Sequence, residues 1–130
     1  MSIPGLDHWL ASPSGRHVLA WEQGQVDHIV SDIFGYHALQ VGLAQADFLR
    51  TSRIPLRQRA GNVDGADFLC HYTALPIAAN STDLVVMPHV FEFSDEPHQI
   101  LREVERILIP EGQVVIVGFN PLSLWGLKRR

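Results

Sequence analysis

The chain has 130 residues, a length that fits one domain with a substantial buried core. Apolar residues make up 46% of it and charged residues 18%, which is ordinary globular composition and excludes a disordered chain. The formal net charge of −4 argues against a nucleic-acid-binding surface, which would be basic. Cys70 is the single cysteine, so the chain has no internal disulfide framework and no cysteine-based zinc site.

The N-terminal segment lacks the features of a signal peptide. Met1–Pro13 carries Asp7, His8 and two prolines, without an apolar core. The longest apolar run, Val114–Phe119, is far too short to span a bilayer. Together with the lone cysteine, which suits a reducing compartment, these features predict a cytoplasmic protein.

Turn residues divide the first half of the chain into a long helix and several short strands. Apolar residues recur at roughly helical spacing from Val18 to Ile33, and Gly35 follows as a stop signal. Pro55 and the basic residues around it indicate that the second of the strands lies at an edge. The predicted elements are a surface arm over Met1–Pro13, a helix from Ser14 or Gly15 to about Phe34, strands over Tyr36–Val41, Ile54–Arg59 and Ala66–His71, one or two helical turns at most over Ala44–Arg50, and a turn over Asn62–Gly65.

The second half of the chain carries stronger signals. Two nearly all-apolar strands, Asp83–Met87 and Gln113–Phe119, flank a helix over Pro97–Leu108. The helix has an apolar stripe and a charged face, Asp95 is its expected N-cap, and Pro110–Gly112 is a turn into the last strand. Strands that are apolar at almost every position are buried on both faces, as in parallel sheets covered by helices. A strand–helix–strand unit of this length forms a right-handed crossover, so the sequence predicts an α/β domain with a mostly parallel sheet.

The stretch from Leu75 to Phe119 resembles a known family as an ordered series of motifs. It reads LPIAANSTDLVVMPHVFEFSDEPHQILREVERILIPEGQVVIVGF. A Leu-Pro turn, a strand that starts with an acid, a His-bearing loop, a helix of the form L-x-E-x-x-R-x-L and a Pro-x-Gly turn before a further strand follow one another. This series is similar to the second half of the S-adenosylmethionine-binding domain of class I methyltransferases, in the group called methyltransferase type 11.

The resemblance implies a Rossmann-like three-layer sandwich in which residues 1–130 form a single methyltransferase-like domain. Folds of this family add two further strands as an antiparallel hairpin after the fifth strand. We therefore expect a sheet that is shortened or truncated after the fifth strand, or the N-terminal portion of a longer chain. The first half is also short: Gly42 and Leu75 lie 33 residues apart, whereas two full strand–helix units need roughly 50 to 60 residues. At least one helix is expected to be trimmed or deleted there.

The resemblance implies S-adenosylmethionine as the cofactor, bound beyond the carboxyl ends of the strands. Gly42 corresponds to the first glycine of the loop that approaches the methionine part, and Leu75 to a residue that packs near the adenine. His89 and Val90 correspond to the loop that lies over the cofactor and often faces the acceptor. The cofactor-binding residues are therefore expected to be Gly42, Leu75, His89 and Val90. The methyl acceptor is not identified, and a homodimer is left open.

Other family positions are changed, and these changes leave two functions open. Gln40 stands where the family has an acidic residue, and Ala44 replaces the second glycine of the loop. Arg57, Gln58 and Arg59 occupy the expected end of the second strand, where the family has a carboxylate for the ribose hydroxyls. The chain is then either a methyltransferase or a methyltransferase-like interaction or regulatory domain that has lost cofactor binding. A nicotinamide-dependent enzyme is disfavoured, since Gly-x-Gly-x-x-Gly is absent.

Two of the candidate residues also have a purely structural interpretation. Gly42 fits a turn glycine, and a lone histidine such as His89 is often packed and hydrogen-bonded rather than a base. No catalytic acid or base is assigned, because methyl transfer from a sulfonium mainly requires that donor and acceptor be held in line. The seven histidines include no metal-binding spacing, so no metal is expected.

Overall fold

The computed structural model describes residue 9 and residues 11–61, 65–118 and 125–128, the last of these as backbone only. The predicted arm over Met1–Pro13 and the predicted turn over Asn62–Gly65 fall largely outside these ranges. The helices and strands are α1 (Pro13–Val30), β1 (His37–Val41), β2 (Leu56–Gly61), β3 (Phe68–Leu69), β4 (Thr82–Pro88), α2 (Pro97–Ile107), β5 (Leu108–Val117) and β6 (Trp125–Lys128), with a 3-10 turn at Phe91–Phe93.

The strands form one sheet in the order β3-β2-β1-β4-β5-β6. The first five strands are parallel to one another, and β6 pairs antiparallel to β5. The predicted α/β fold with a mostly parallel sheet is confirmed. The sheet extends past the fifth strand by a short sixth strand, which the sequence did not predict.

Alternate residues of the central strands bury opposite faces of the sheet and give the expected three layers. Ala38 of β1 and Val86 of β4 join Val26 of α1 in one apolar cluster. Leu39 of β1 and Met87 of β4 join α2 in a second cluster on the other face. The two helices therefore cover the two faces, as continuous apolar strands require.

The trimmed first half is confirmed in the connection from β1 to β2. Residues 42–55 form turns and loop with no helix, and so do residues 70–81 before β4. The first of these loops nevertheless covers the sheet, because its side chains Phe48, Leu49 and Ile54 are buried in the cluster of α1. A loop that carries large apolar residues thus replaces a helix on that face.

The ends of the helices differ from the predicted ones for local reasons. Helix α1 begins at Pro13, where the Ser12 hydroxyl accepts from the Gly15 amide, and it ends at Val30. It ends before the predicted Phe34 because Ser31 takes the C-cap position and its N–H still donates to the Asp27 carbonyl. Asp95 is not the N-cap of α2: Glu96 holds that position without a side-chain hydrogen bond.

The strands differ from prediction at their ends as well. Strand β2 begins after Pro55, runs on to Gly61, and is not an edge strand, since β3 pairs outside it at Ala60 and Gly61. The predicted turn over Pro110–Gly112 lies within β5, where pairing passes from Thr82↔Leu108 to Leu84↔Gln113. The extra residues on β5 form a bulge there, so the turn chemistry produces an irregular strand start.

Asp83, at the start of β4, ties β1 to β4. Its Oδ2 accepts the N–H groups of Tyr36 and His37 at 2.8 and 3.1 Å. Gly35 leaves room for this carboxyl group, because a Cβ at that position would overlap the Asp83 side chain. The acidic start of this strand is therefore a structural feature.

Candidate functional site

The strand order reverses between β1 and β4, and the loops that leave these two strands lie side by side. A crevice beyond the carboxyl ends of strands at such a reversal is the usual ligand site of open parallel sheets. After β1 the backbone φ is +93° at Gly42 and +45° at Leu43, and after β4 it is +56° at His89. Left-handed conformations at residues other than glycine are costly and cluster at functional sites.

Gly42 lies against the loop after β4, with no room for a side chain. A Cβ on Gly42 would lie 2.9 Å from Val90 Cγ2, 3.5 Å from the Pro88 carbonyl and 3.8 Å from the Tyr72 hydroxyl. The structure therefore brings the predicted residues Gly42 and Val90 together. It adds Tyr72, which the sequence did not single out because an isolated tyrosine before a turn carries no pattern.

Tyr72 presents a neutral hydroxyl beside Gly42. Burial, with a smaller contribution from the charge of Cys70, raises the pKa of Tyr72 to about 12. The phenol is thus protonated at neutral pH and can donate a hydrogen bond as well as accept one.

Gln40, which stands where the resemblance led us to expect an acid, organises the loop after β1. Its side chain is fully buried, and the two protons of Nε2 are shared among the carbonyls of Gly42, Leu43 and Ala46, which lie 2.8–3.0 Å away. Its Oε1 accepts from the Phe48 amide at 2.8 Å. A carboxylate has no proton to donate to these carbonyls, so the change from acid to amide supports a loop with its own hydrogen bonds.

His89 is packed and hydrogen-bonded on both ring nitrogens. Its Nε2 lies 2.9 Å from both carboxylate oxygens of Glu22, and its Nδ1 lies 2.9 Å from Glu92 Oε1. Burial opposes the charged imidazole, but the hydrogen bonds and charges of Glu22 and Glu92 outweigh it, so the pKa of His89 is raised. Both ring nitrogens are thus engaged by carboxylates, which makes His89 a packed structural contact.

Glu22 is the functional candidate most clearly missed by sequence reasoning. It is buried on α1 with Val26 and Val30, four and eight residues further along the same helix face. A carboxylate on an apolar stripe was the available signal, since such a group is seldom buried without a partner. Its partner His89 lies 67 residues away along the chain and could not be inferred.

Leu75 is held in place by α2. Its N–H donates to Glu103 Oε1 at 2.8 Å, and its carbonyl accepts from Arg106 Nη2 at 2.9 Å. Arg106 also donates to the Ile77 carbonyl. Its hydrogen bond to Glu103 is the main reason why the pKa of Glu103 is lowered. The Glu and Arg of the motif L-x-E-x-x-R-x-L thus fix the loop that follows β3. Leu75 and Val90 share the apolar cluster on the α2 face of the sheet.

The expected end of the second strand was wrong by two residues. Because β2 runs to Gly61, Arg57, Gln58 and Arg59 lie within it rather than at its carboxyl end. The residues that follow the strand, 62–64, lie outside the described ranges. Within the part that the structure describes, no three His, Cys, Asp or Glu side chains are grouped to hold a metal.

Comparison with known proteins identifies the family. The family model of the methyltransferase domain matches residues 43–116, more than half of the chain. The chain therefore belongs to the class I S-adenosylmethionine-dependent methyltransferase family, as the motif series indicated. Over the described residues, no helix has the length and apolar character that a membrane crossing requires.

One curated relative shows how much of a longer protein the chain spans. The chain is similar to the uncharacterised protein YafS of Escherichia coli (strain K12), with 29% identity over 125 residues that cover 95% of this chain and 52% of that protein. The chain thus spans about half the length of this curated relative.

Solved structures show the same fold at low sequence identity. One is the complex between the Haloferax volcanii Trm112 methyltransferase activator and a protein assigned as a methyltransferase, with a TM-score of 0.70, 19% identity, and coverage of 89% of this chain and 61% of that one. Another is a SAM-dependent methyltransferase from Aquifex aeolicus, with a TM-score of 0.65, 16% identity, and coverage of 96% and 82%.

Proposed function

We propose that this domain binds S-adenosylmethionine in the crevice beyond β1 and β4 and serves methyl transfer to an acceptor not yet identified. The observation that carries the proposal is the juxtaposition of two left-handed loops at the strand-order reversal, with Gly42 of one loop against Val90 of the other. The family's known cofactor supports the ligand, and the missing side chain at Gly42 would let backbone approach it closely.

The residues proposed to line the site are Gly42, Leu75 and Val90, with Tyr72 beside them and His89 behind them. Gly42, which carries no side chain, would let the amino-acid end of the ligand lie close to the loop after β1, and Leu75 and Val90 would offer apolar contact. Once bound, the sulfonium supplies the methyl group, and the chain has only to hold it in line with the acceptor. The engagement of both His89 nitrogens is consistent with chemistry that needs no base.

A second function has one specific observation in its favour. The loop after β1 is closed by its own hydrogen bonds, because Gln40 Nε2 binds the carbonyls of Gly42, Leu43 and Ala46. If this closed loop cannot receive the ligand, the domain is a methyltransferase-like interaction or regulatory module that has lost cofactor binding. The two functions differ in a single measurable property, which is affinity for the cofactor.

Calorimetric titration with S-adenosylmethionine and S-adenosylhomocysteine tests the proposal. The wild-type chain is expected to bind with micromolar affinity, and Gly42→Ala is expected to bind at least about tenfold more weakly. That alanine would require a left-handed residue with its Cβ 2.9 Å from Val90 Cγ2.

Gly24→Ala is the matched control for this substitution. No atom lies within 4 Å of a Cβ at position 24, and the residue is inside α1, where alanine is favourable. This variant should bind as the wild type does. Absence of binding by a folded wild-type chain would contradict the proposal and favour the module that has lost the cofactor.

A further inference from the structure

A buried cluster of three ionisable side chains joins helix α1 to the loop after β4. Glu22 comes from α1, His89 follows β4, and Glu92 belongs to the 3-10 turn. Their carboxylate oxygens lie 2.9 Å from the ring nitrogens, and the side chains of His89, Glu22 and Glu92 are 1%, 4% and 31% exposed. Charges buried to this degree are stable only when they are paired with good geometry.

The geometry favours a proton on each ring nitrogen. An ionised carboxylate only accepts hydrogen bonds, so with both glutamates ionised both His89 nitrogens donate, and the ring is an imidazolium. Among the described residues, Glu22 and Glu92 are the carboxylates that face the ring from the two elements packed against it. The cluster then carries two negative charges and one positive charge, and its hydrogen bonds fix the direction in which the ring points.

The cluster sits one peptide unit from the candidate site. His89 has a left-handed backbone, and its N–H donates to the Val117 carbonyl of β5 at 2.8 Å. The next residue, Val90, contacts Gly42. A continuous series of contacts thus runs from Glu22 through His89 and Val90 to Gly42. A left-handed residue persists only where its surroundings stabilise it, and the two carboxylates help to stabilise this conformation of His89.

We propose that Glu22 and Glu92 are positioning residues that act through His89. Through them, the docking of helix α1 fixes the position of Val90 over Gly42. Ligand binding in the crevice is thereby coupled to the docking of α1, a consequence that rests on the proposed function. A charged cluster suits this task better than an apolar contact, because it specifies one arrangement whereas apolar side chains pack in several.

The stabilising contribution of the Glu22–His89–Glu92 cluster depends on pH in a defined direction. Since the native pKa of His89 is raised above its ordinary value of 6.5, the contribution of the cluster is complete below that value. It is lost as the pH rises through the raised native pKa, where the ring gives up one proton and one of its charged hydrogen bonds. Affinity for the ligand should decline over that same pH range.

The variant Glu22→Gln tests the inference because it keeps the shape of the side chain and removes its charge. By ¹⁵N NMR, His89 in the wild type should hold both ring protons at neutral pH, and its pKa should fall in the variant. Amide hydrogen exchange at His89 and Val90 should quicken about tenfold, and S-adenosylhomocysteine should bind about five- to tenfold more weakly. Amides of α2 should exchange as in the wild type.

Controls separate this inference from general destabilisation and from the proposed function. Glu105→Gln makes the same change on the exposed face of α2 and should alter none of these readouts. If Glu22→Gln does not fold, Glu92→Gln, at the more exposed partner, should produce the same changes to a smaller extent. Wild-type binding that both cluster variants leave unchanged, with unchanged exchange, would overturn the inference alone. Absence of wild-type binding would overturn the proposed function and, with it, the coupling to ligand.

Discussion

Replacing Gln40 by glutamate would introduce the acid that the resemblance leads one to expect at this position, and it should damage the domain. The Gln40 amide donates to three backbone carbonyls at 2.8–3.0 Å and is fully buried. A glutamate in its place would direct a carboxylate oxygen at those carbonyls and lose every donated bond. An acid at position 40 is therefore the wrong residue for the loop of this chain.

The expected loss in the free energy of unfolding is about 3–5 kcal/mol, the usual cost of an uncompensated buried charge. This is a large part of the total stability of a single domain, and it should lower the melting temperature by roughly 10–20 °C. The new carboxyl group should have a raised pKa, because burial disfavours its charged form. Its cost should thus be smaller near pH 4 than at pH 7, since protonation restores one donor. Urea unfolding at both pH values measures this difference.

Gln58→Glu is the matched control on the neighbouring strand. Gln58 Oε1 accepts from His37 Nε2 at 2.8 Å, and a carboxylate can accept the same hydrogen bond. This variant should lose less than about 1 kcal/mol, the scale of one ordinary hydrogen bond. If the two substitutions destabilise the chain equally, or if Gln40→Glu is neutral at pH 7, the account of the loop is wrong.

Three further predictions concern other contacts of the site and the sheet. Tyr72→Phe should weaken S-adenosylhomocysteine binding about three- to tenfold by calorimetry, through loss of one hydrogen bond. The control Tyr36→Phe, at the opposite end of β1, should bind as the wild type does. Equal affinities of the two variants would show that the Tyr72 hydroxyl is not part of the site. Gly35→Ala should lower stability in urea by about 1–3 kcal/mol, because its methyl group would displace the Asp83 carboxyl group; a wild-type midpoint would contradict this. Arg106→Lys should keep the charge, lose the forked donors to the loop after β3, and speed proteolysis of that loop; an unchanged cleavage rate would show that the fork is dispensable.

The second half of the fold could be predicted from the sequence because its signals are local. The runs of β4 and β5 are apolar at successive positions, and the stripe of α2 repeats at helical spacing, so burial and period agree. The first half was less predictable because loop 42–55 covers the sheet without any periodic pattern. The ends of β2 lie two residues beyond the predicted ones, because pairing partners rather than local propensity decide where a strand stops.

The candidate site was predictable only at the glycine, because a left-handed turn after a strand favours that residue type. Gly42 follows from its position after a strand, and its left-handed backbone accounts for the glycine. Gln40 was interpreted as a lost acid, because the carbonyls that it bonds become neighbours only after the loop folds. The pairing of Glu22 with His89 joins distant parts of the chain and leaves no pattern in one sequence. Whether Gly42, Leu75, His89 and Val90 bind the cofactor stays a prediction.

The most direct test of the account is a titration of the ¹⁵N-labelled chain with S-adenosylhomocysteine, followed by amide chemical shifts. The account predicts saturable shifts that concentrate at Gly42, Leu43 and Val90, with Tyr36 at the other end of β1 unmoved. Shifts that are absent in a folded chain, or that concentrate away from the carboxyl ends of β1 and β4, would contradict it.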